Sequence, residues 1–168
     1  IIKETGNHTF APERSITRAE FTVIAMRFAE LDTSGENIFT DVSENDWFYD
    51  EVVYVYENGL MNGVENNQFA PNTATNRAML APILYRLAGQ PDVSGDLPFT
   101  DVAAGTWYTD AVLWAAQNGI VNGLGENTFA PMNTLTREQL VTMLYRYAEA
   151  EGYDVSAAAD LSGYPDAG

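Results

Sequence analysis

A block of 60 residues recurs along this chain, and no other feature restricts its fold as strongly. Phe39-Thr40-Asp41-Val42 returns as Phe99-Thr100-Asp101-Val102, Trp47 as Trp107, Gly59 as Gly119 and Gly63 as Gly123, each at an offset of 60. A second element occurs three times. His8-Thr9-Phe10-Ala11-Pro12 leads to Thr17-Arg18-Ala19-Glu20, Asn67-Gln68-Phe69-Ala70-Pro71 to Asn76-Arg77-Ala78-Met79, and Asn127-Thr128-Phe129-Ala130-Pro131 to Thr136-Arg137-Glu138-Gln139. The Arg always stands eight places after the turn Phe. Ile1-Ile2-Lys3-Glu4 take the place of Leu60-Met61-Asn62-Gly63 and of Ile120-Val121-Asn122-Gly123, so the sequence opens in mid-repeat. Leu161-Ser162-Gly163-Tyr164-Pro165-Asp166 reads as the degenerate opening of a further unit. The expected division of one domain is therefore 1–38, the C-terminal part of a first repeat, then 39–98, 99–160 and the start of another unit at 161–168.

Each complete repeat predicts two helices. Trp107, Ala111, Val112, Trp114 and Ala115 recur at helical spacing, and Asn118-Gly119 followed by Ile120 is a C-terminal stop. The matching stretch from Trp47 to Asn58 carries Val52, Val53, Tyr54, Val55 and Tyr56, a run with β propensity. Its register with the other copy assigns it to helix. The second helices are expected over roughly 17–31, 76–88 and 136–150, with Thr17, Asn76 and Thr136 as N-caps. Thr17 with Glu20 makes a capping box and Thr136 with Gln139 an acceptable one, whereas Asn76 with Met79 cannot. Pro82 should kink or loosen the middle helix.

An Arg in the first turn of a helix faces the positive end of the dipole, so its presence at 18, 77 and 137 asks for a reason outside the helix. Two readings stand: a structural Arg reaching a neighbouring carboxylate, or an anion-binding Arg beside exposed amide donors. The second predicts that removing these arginines weakens binding and leaves folding nearly unchanged. Trp47 and Trp107 are either core or the wall of a sugar site, since an aromatic face stacks on a pyranose. Gly59, Gly63, Gly119 and Gly123 serve turns and helix stops, with close ligand approach to backbone amides as a second use. Asp41 and Asp101 hold local backbone. Arg27, Arg86 and Arg146, nine places after the first-turn arginines, point to another face and are read as scaffold ion pairs.

Composition narrows the partners. Over 168 residues, 24 acidic against 8 basic side chains give a net charge of −16, which opposes a nucleic acid backbone. No apolar run is long enough to insert in a membrane. The chain has no cysteine, no Ser/His/Asp set, no phosphate loop and no paired histidines for a metal, so neither an enzyme nor a cofactor is expected. The Glu65-Asn66-Asn67-Gln68 loop lacks the ligand alternation of a calcium loop. The recurring residue types suit binding.

In order, Phe-Thr-Asp-Val, Trp-Tyr-x-x-Ala-Val, Asn-Gly-Ile-Val-x-Gly, Phe-x-Pro and Thr-Arg-x-x resemble the S-layer homology family over almost the whole chain. That resemblance implies an all-α fold of tandem helix-loop-helix repeats packed as a pseudo-threefold helical assembly. It also implies an extracellular module at the bacterial cell surface that anchors its parent to anionic, often pyruvylated, secondary cell-wall polysaccharide through grooves between repeats. By the same resemblance the ketal-binding role falls on Arg18, Arg77 and Arg137, with Trp47, Trp107, Gly59, Gly63, Gly119 and Gly123 as groove walls. Glu4 replaces the Gly at 63 and 123 and would repel an anion, which ranks its groove lowest. The alternative is a protein-interaction or self-assembly module. The first repeat lacks its preceding Trp helix, so the apolar face of Phe21, Ile24, Ala25, Phe28 and Leu31 is expected to self-associate or fray.

Overall fold

The computed structural model describes residue 6 and residues 8–28, 35–158, 160 and 162–166. Among these the regular structure is helical: α1 (Arg18–Ala25), α2 (Tyr49–Glu57), α3 (Arg77–Leu87), α4 (Thr109–Gln117) and α5 (Arg137–Ala150). No strand is present among the described residues, only isolated bridges, so the expected all-α class holds. The chain divides into two compact units, one of residues 16–75 and one combining the segment up to Ser15 with residues from 76 onward.

In the first unit α1 packs against α2. The Thr17 hydroxyl accepts from the Glu20 amide at 3.2 Å and Glu20 Oε2 accepts from the Thr17 amide at 3.1 Å, completing the expected box. α1 passes at Met26 into a short 3-10 turn ending at Phe28. The predicted continuation to Leu31 lies outside the described residues. α2 forms despite its β-branched run because Val52, Val53 and Val55 bury on one face, and tertiary burial outweighs a propensity difference of about 1 kcal/mol. Phe21, Val52, Val55 and Phe69 are fully buried, and Phe39 meets Tyr56 edge-on at 5.1 Å.

In the second unit α4 packs against α3, bringing Tyr85 within 5.5 Å of Trp114, which also lies 6.4 Å from the ring of Tyr147 of α5. α3 continues past Pro82 to Leu87, although Pro82 has no amide to donate to the Ala78 carbonyl. α2 and α4 end alike, at Asn58 and Asn118, each followed by a left-handed Gly (φ 64° at Gly59, 68° at Gly119). Gly63 and Gly123 answer a different demand. A Cβ on Gly63 would lie 2.5 Å from the Phe39 ring, and one on Gly123 would lie 2.7 Å from the Thr128 carbonyl oxygen.

Candidate functional site

The Phe-Ala-Pro turns carry the site. The Ala of each is left-handed (φ 54° at Ala11, 56° at Ala70, 57° at Ala130), a conformation that costs an L-residue about 1–2 kcal/mol. A carboxylate holds it there. Asp41 accepts from the amides of Phe69 and Ala70 at 2.7 and 2.8 Å, and Asp101 from those of Phe129 and Ala130 at 2.8 and 2.7 Å. Consecutive amides converging on one anion form a nest, and bonds to an ionised acceptor are the strong kind. The two aspartates do hold backbone, but backbone 28 residues further along.

Each turn then receives an Arg. Nε of Arg18 donates to the Phe69 carbonyl, that of Arg77 to the Phe129 carbonyl and that of Arg137 to the Phe10 carbonyl, all at 2.8 Å. The same guanidinium lies over the ring of that Phe, at 4.7, 4.8 and 4.9 Å from the centroid. Nη2 of Arg18 and of Arg77 donates to the Asn62 and Asn122 carbonyls at 2.9 and 3.0 Å. Arg18, Arg77 and Arg137 are 5%, 2% and 4% exposed, so these are interior cations rather than surface ones. Burial pulls the Arg18 and Arg77 values below the ordinary guanidinium range while Asp41 and Asp101 oppose the shift. Starting so high, both remain charged.

The amides beside these arginines are taken. The first two of each helix donate to carbonyls of a Phe-Ala-Pro segment: Arg18 and Ala19 to Thr73 and Pro71, Arg77 and Ala78 to Asn133 and Pro131, Arg137 and Glu138 to Arg14 and Pro12. The cap side chain takes the third. The expected exposed donors at these helix starts are thus absent, and the joint itself supplies the reason for an Arg against the dipole.

One guanidinium nitrogen has a different role. Nη1 of Arg77 lies 3.4 Å from Gln139 Oε1, so Gln139 turns towards Arg77 instead of closing the box expected with Thr136. That contact sits in an open groove of about 430 Å³ lined by Arg77, Asn122, Gly123, Leu124, Glu138, Gln139, Thr142, Met143 and Arg146. Asn122 links its two cations: its main-chain oxygen accepts from Arg77, and its side-chain amide, turned so that the oxygen faces Arg146 Nη1 at 3.2 Å, accepts from Arg146.

Of the expected site residues, the structure brings Arg77 and Gly123 to this groove. Arg18 and Arg137 occupy matching joints at Phe69 and Phe10. Gly59 and Gly119 stop helices, and Gly63 packs under Phe39. Trp47 and Trp107 are 64% and 60% exposed, stand edge-on to Phe48 and Tyr108, and do not line this groove. Glu4 lies outside the described residues. Arg146, read from sequence as a scaffold ion pair, faces the groove instead. The signal for it was the polar stripe Glu138, Thr142, Arg146, repeating every four residues on one helix face.

Residues 1–22, 38–79 and 98–141, well over half of the chain, match the S-layer homology domain. The chain belongs to the S-layer homology family. Among its relatives, the surface-layer 125 kDa protein of Lysinibacillus sphaericus is 31% identical over 156 residues, covering 89% of this chain and 13% of that protein. The cellulosome-anchoring protein of Acetivibrio thermocellus is 27% identical over 150 residues, covering 83% and 33%. An endoglucanase of Bacillus sp. (strain KSM-635) is 31% identical over 159 residues, covering 88% and 17%. The S-layer homology chain spans a third or less of each of these proteins. Membership places it at the bacterial cell surface, with the surface-layer proteins it resembles.

Proposed function

We propose that this chain is a non-catalytic anchoring module that holds a larger surface protein to an anionic secondary cell-wall polysaccharide, and that the groove between Arg77 and Arg146 receives the anionic sugar. The carrying observation is two guanidinium groups on one open groove whose floor at Gly123 has no side chain. A carboxylate, including one on a pyruvate ketal, suits this arrangement because hydrogen bonds between a cationic donor and a carboxylate are the strong kind. Glu138 on the same wall opposes an anion, so Arg146 has to outweigh it. The match to an anchoring protein supports the same reading. Arg18 and Arg137, held as Arg77 is, are assigned equivalent places, and the exposed rings of Trp47 and Trp107 are offered as outlying stacking faces.

The test is retention on purified wall sacculi with and without chemical removal of the secondary polysaccharide. Retention should be lost on removal, and R146A should weaken it at least tenfold on intact sacculi, about 1.4 kcal/mol. Retention indifferent to that removal would overturn the glycan assignment. The exposure of Trp47 and Trp107 favours the second reading, docking of another polypeptide, for which retention would survive removal of the polysaccharide and then be lost when both rings are substituted.

A further inference from the structure

Three turns in this chain share one shape, and two of them are held by an Asp that stands 28 residues earlier in a Phe-Thr-Asp triplet, Asp41 and Asp101. The third, at Phe10-Ala11, presents the same pair of amides around a left-handed Ala11. They are not left to solvent. Asp166 Oδ1 accepts from the Phe10 amide at 2.9 Å and Asp166 Oδ2 from the Ala11 amide at 2.7 Å, across more than 150 residues of sequence. Asp166 ends Tyr164-Pro165-Asp166, an aromatic-x-Asp triplet like Phe39-Thr40-Asp41 and Phe99-Thr100-Asp101.

We propose that the Phe10-Ala11 turn is a docking site for an aromatic-x-Asp segment and that Tyr164-Pro165-Asp166 is its occupant within the chain, acting as a releasable clasp. Two observations make it releasable where its counterparts are not. In the other copies the middle Thr adds a rung, with the Thr40 amide donating to the Asn67 carbonyl at 2.9 Å and the Thr100 amide to the Asn127 carbonyl at 2.8 Å. Pro165 has no amide to donate. The segment also follows a stretch, Tyr153 to Ala158, without regular structure and largely exposed, so the triplet is tethered rather than built into a helix.

What the clasp supports is the base of α5. The segment it grips accepts from α5 at three points: Arg137 Nε and the Phe10 carbonyl, the Arg137 amide and the Arg14 carbonyl, the Glu138 amide and the Pro12 carbonyl. α5 in turn carries the Glu138, Gln139, Thr142 and Arg146 wall of the groove. The docking itself is independent of what the groove binds, so the experiment leaves ligand binding aside.

Amide hydrogen exchange at Phe10 and Ala11, measured in the whole chain and in D166N, decides the matter, with Phe69, Ala70, Phe129 and Ala130 as internal controls. Exchange at Phe10 and Ala11 should rise at least tenfold in D166N while the four controls stay unchanged. In a chain ending at Asp160, a synthetic peptide of residues 160–168 at millimolar concentration should restore the protection, and the same peptide with Asn at 166 should not. Equal exchange in the intact and D166N chains would overturn the proposal. So would protection that disappears on dilution together with a twofold change in mass, which would assign the segment to a second copy.

Discussion

α3 and α5 stand at the same place in successive repeats and share a scaffold, yet they present opposite faces. Each is capped at the residue before its Arg, buries that Arg and rests its first two amides on a Phe-Ala-Pro segment. Beyond that the two diverge. α3 follows its Arg with Ala78, Met79 and Pro82, of which Ala78 and Pro82 are buried, while α5 has Glu138, Gln139 and Thr142, of which Glu138 and Thr142 are exposed. The repeat keeps what builds the joint and lets the outer stripe vary. A groove wall is therefore made by changing three side chains on an unchanged frame.

The joint should be the costliest thing to break. R77A removes two charge-assisted bonds to carbonyls and the contact over Phe129, leaving buried acceptors unsatisfied. At about 1.5–3 kcal/mol for each bond to a charged group, a loss of at least about 3 kcal/mol is expected in chemical denaturation. R77K should recover little, because a single ammonium cannot bridge both carbonyls while lying flat on the ring. This reverses the expectation drawn from sequence, that these arginines matter for binding and not for folding. A midpoint unchanged in R77A would restore that expectation and dissolve the shared joint.

The stripe comes next. Giving α5 small side chains at its two exposed stripe positions, with E138A and T142A, should leave stability within about 0.5 kcal/mol, as exposed positions do, and Q139M completes the α3 pattern. Retention on wall sacculi should change severalfold. The direction is informative: removing Glu138 takes away a repulsion, so E138A alone should tighten retention, whereas Q139M alone, which deprives Arg77 of its partner, should weaken it. If all three substitutions leave retention untouched, the stripe is not the groove wall.

The approaches to the two helices also differ. Leu135 and Thr75 hold the same place, two residues before the first-turn Arg, and both are fully buried. The Thr75 hydroxyl has no hydrogen-bond partner, a departure that costs stability at the start of α3 and not of α5. T75V keeps the shape and removes the orphan, so it should raise stability by about 1 kcal/mol. Destabilisation in a thermal melt would mean that the hydroxyl is satisfied in solution.

Much of this was legible before the structure. The repeat fixed the number of helices, the caps fixed the starts of α1, α3 and α5, and the second copy corrected the β-prone reading of Val52 to Tyr56; α2 and α4, uncapped, start two residues after the Trp at which they were expected. What sequence did not show were bonds whose two ends lie far apart. Asp41 recurs visibly, but nothing local to it says that its partners are the amides of Phe69 and Ala70. Arg77 recurs as visibly, and the same spacing fits a ligand or a carbonyl equally well. Arg146 was read as scaffold because it was placed only against Arg137, nine residues earlier on its own helix, whereas it lines a groove together with Arg77 of another repeat.

The smallest expected effect separates the two anchors. α3 rests on a turn clasped by Asp101, and α5 rests on a turn clasped by Asp166. The bonds from Phe10 and Ala11 hold the Asp166 carboxyl below the usual carboxylate range. A value lowered in the folded chain means that the clasp contributes its full stabilisation above the unfolded value, near 3.9 for an Asp. It loses that stabilisation as pH falls through the lower folded value. The Phe10 and Ala11 amide resonances should therefore be flat from neutral pH to about pH 5 and shift together only below the ordinary carboxylate range, and in D166N the shift should vanish. An inflection at or above the ordinary range would mean that the carboxyl gains nothing from these amides. α5 would then be anchored differently from α3 in kind and not only in strength.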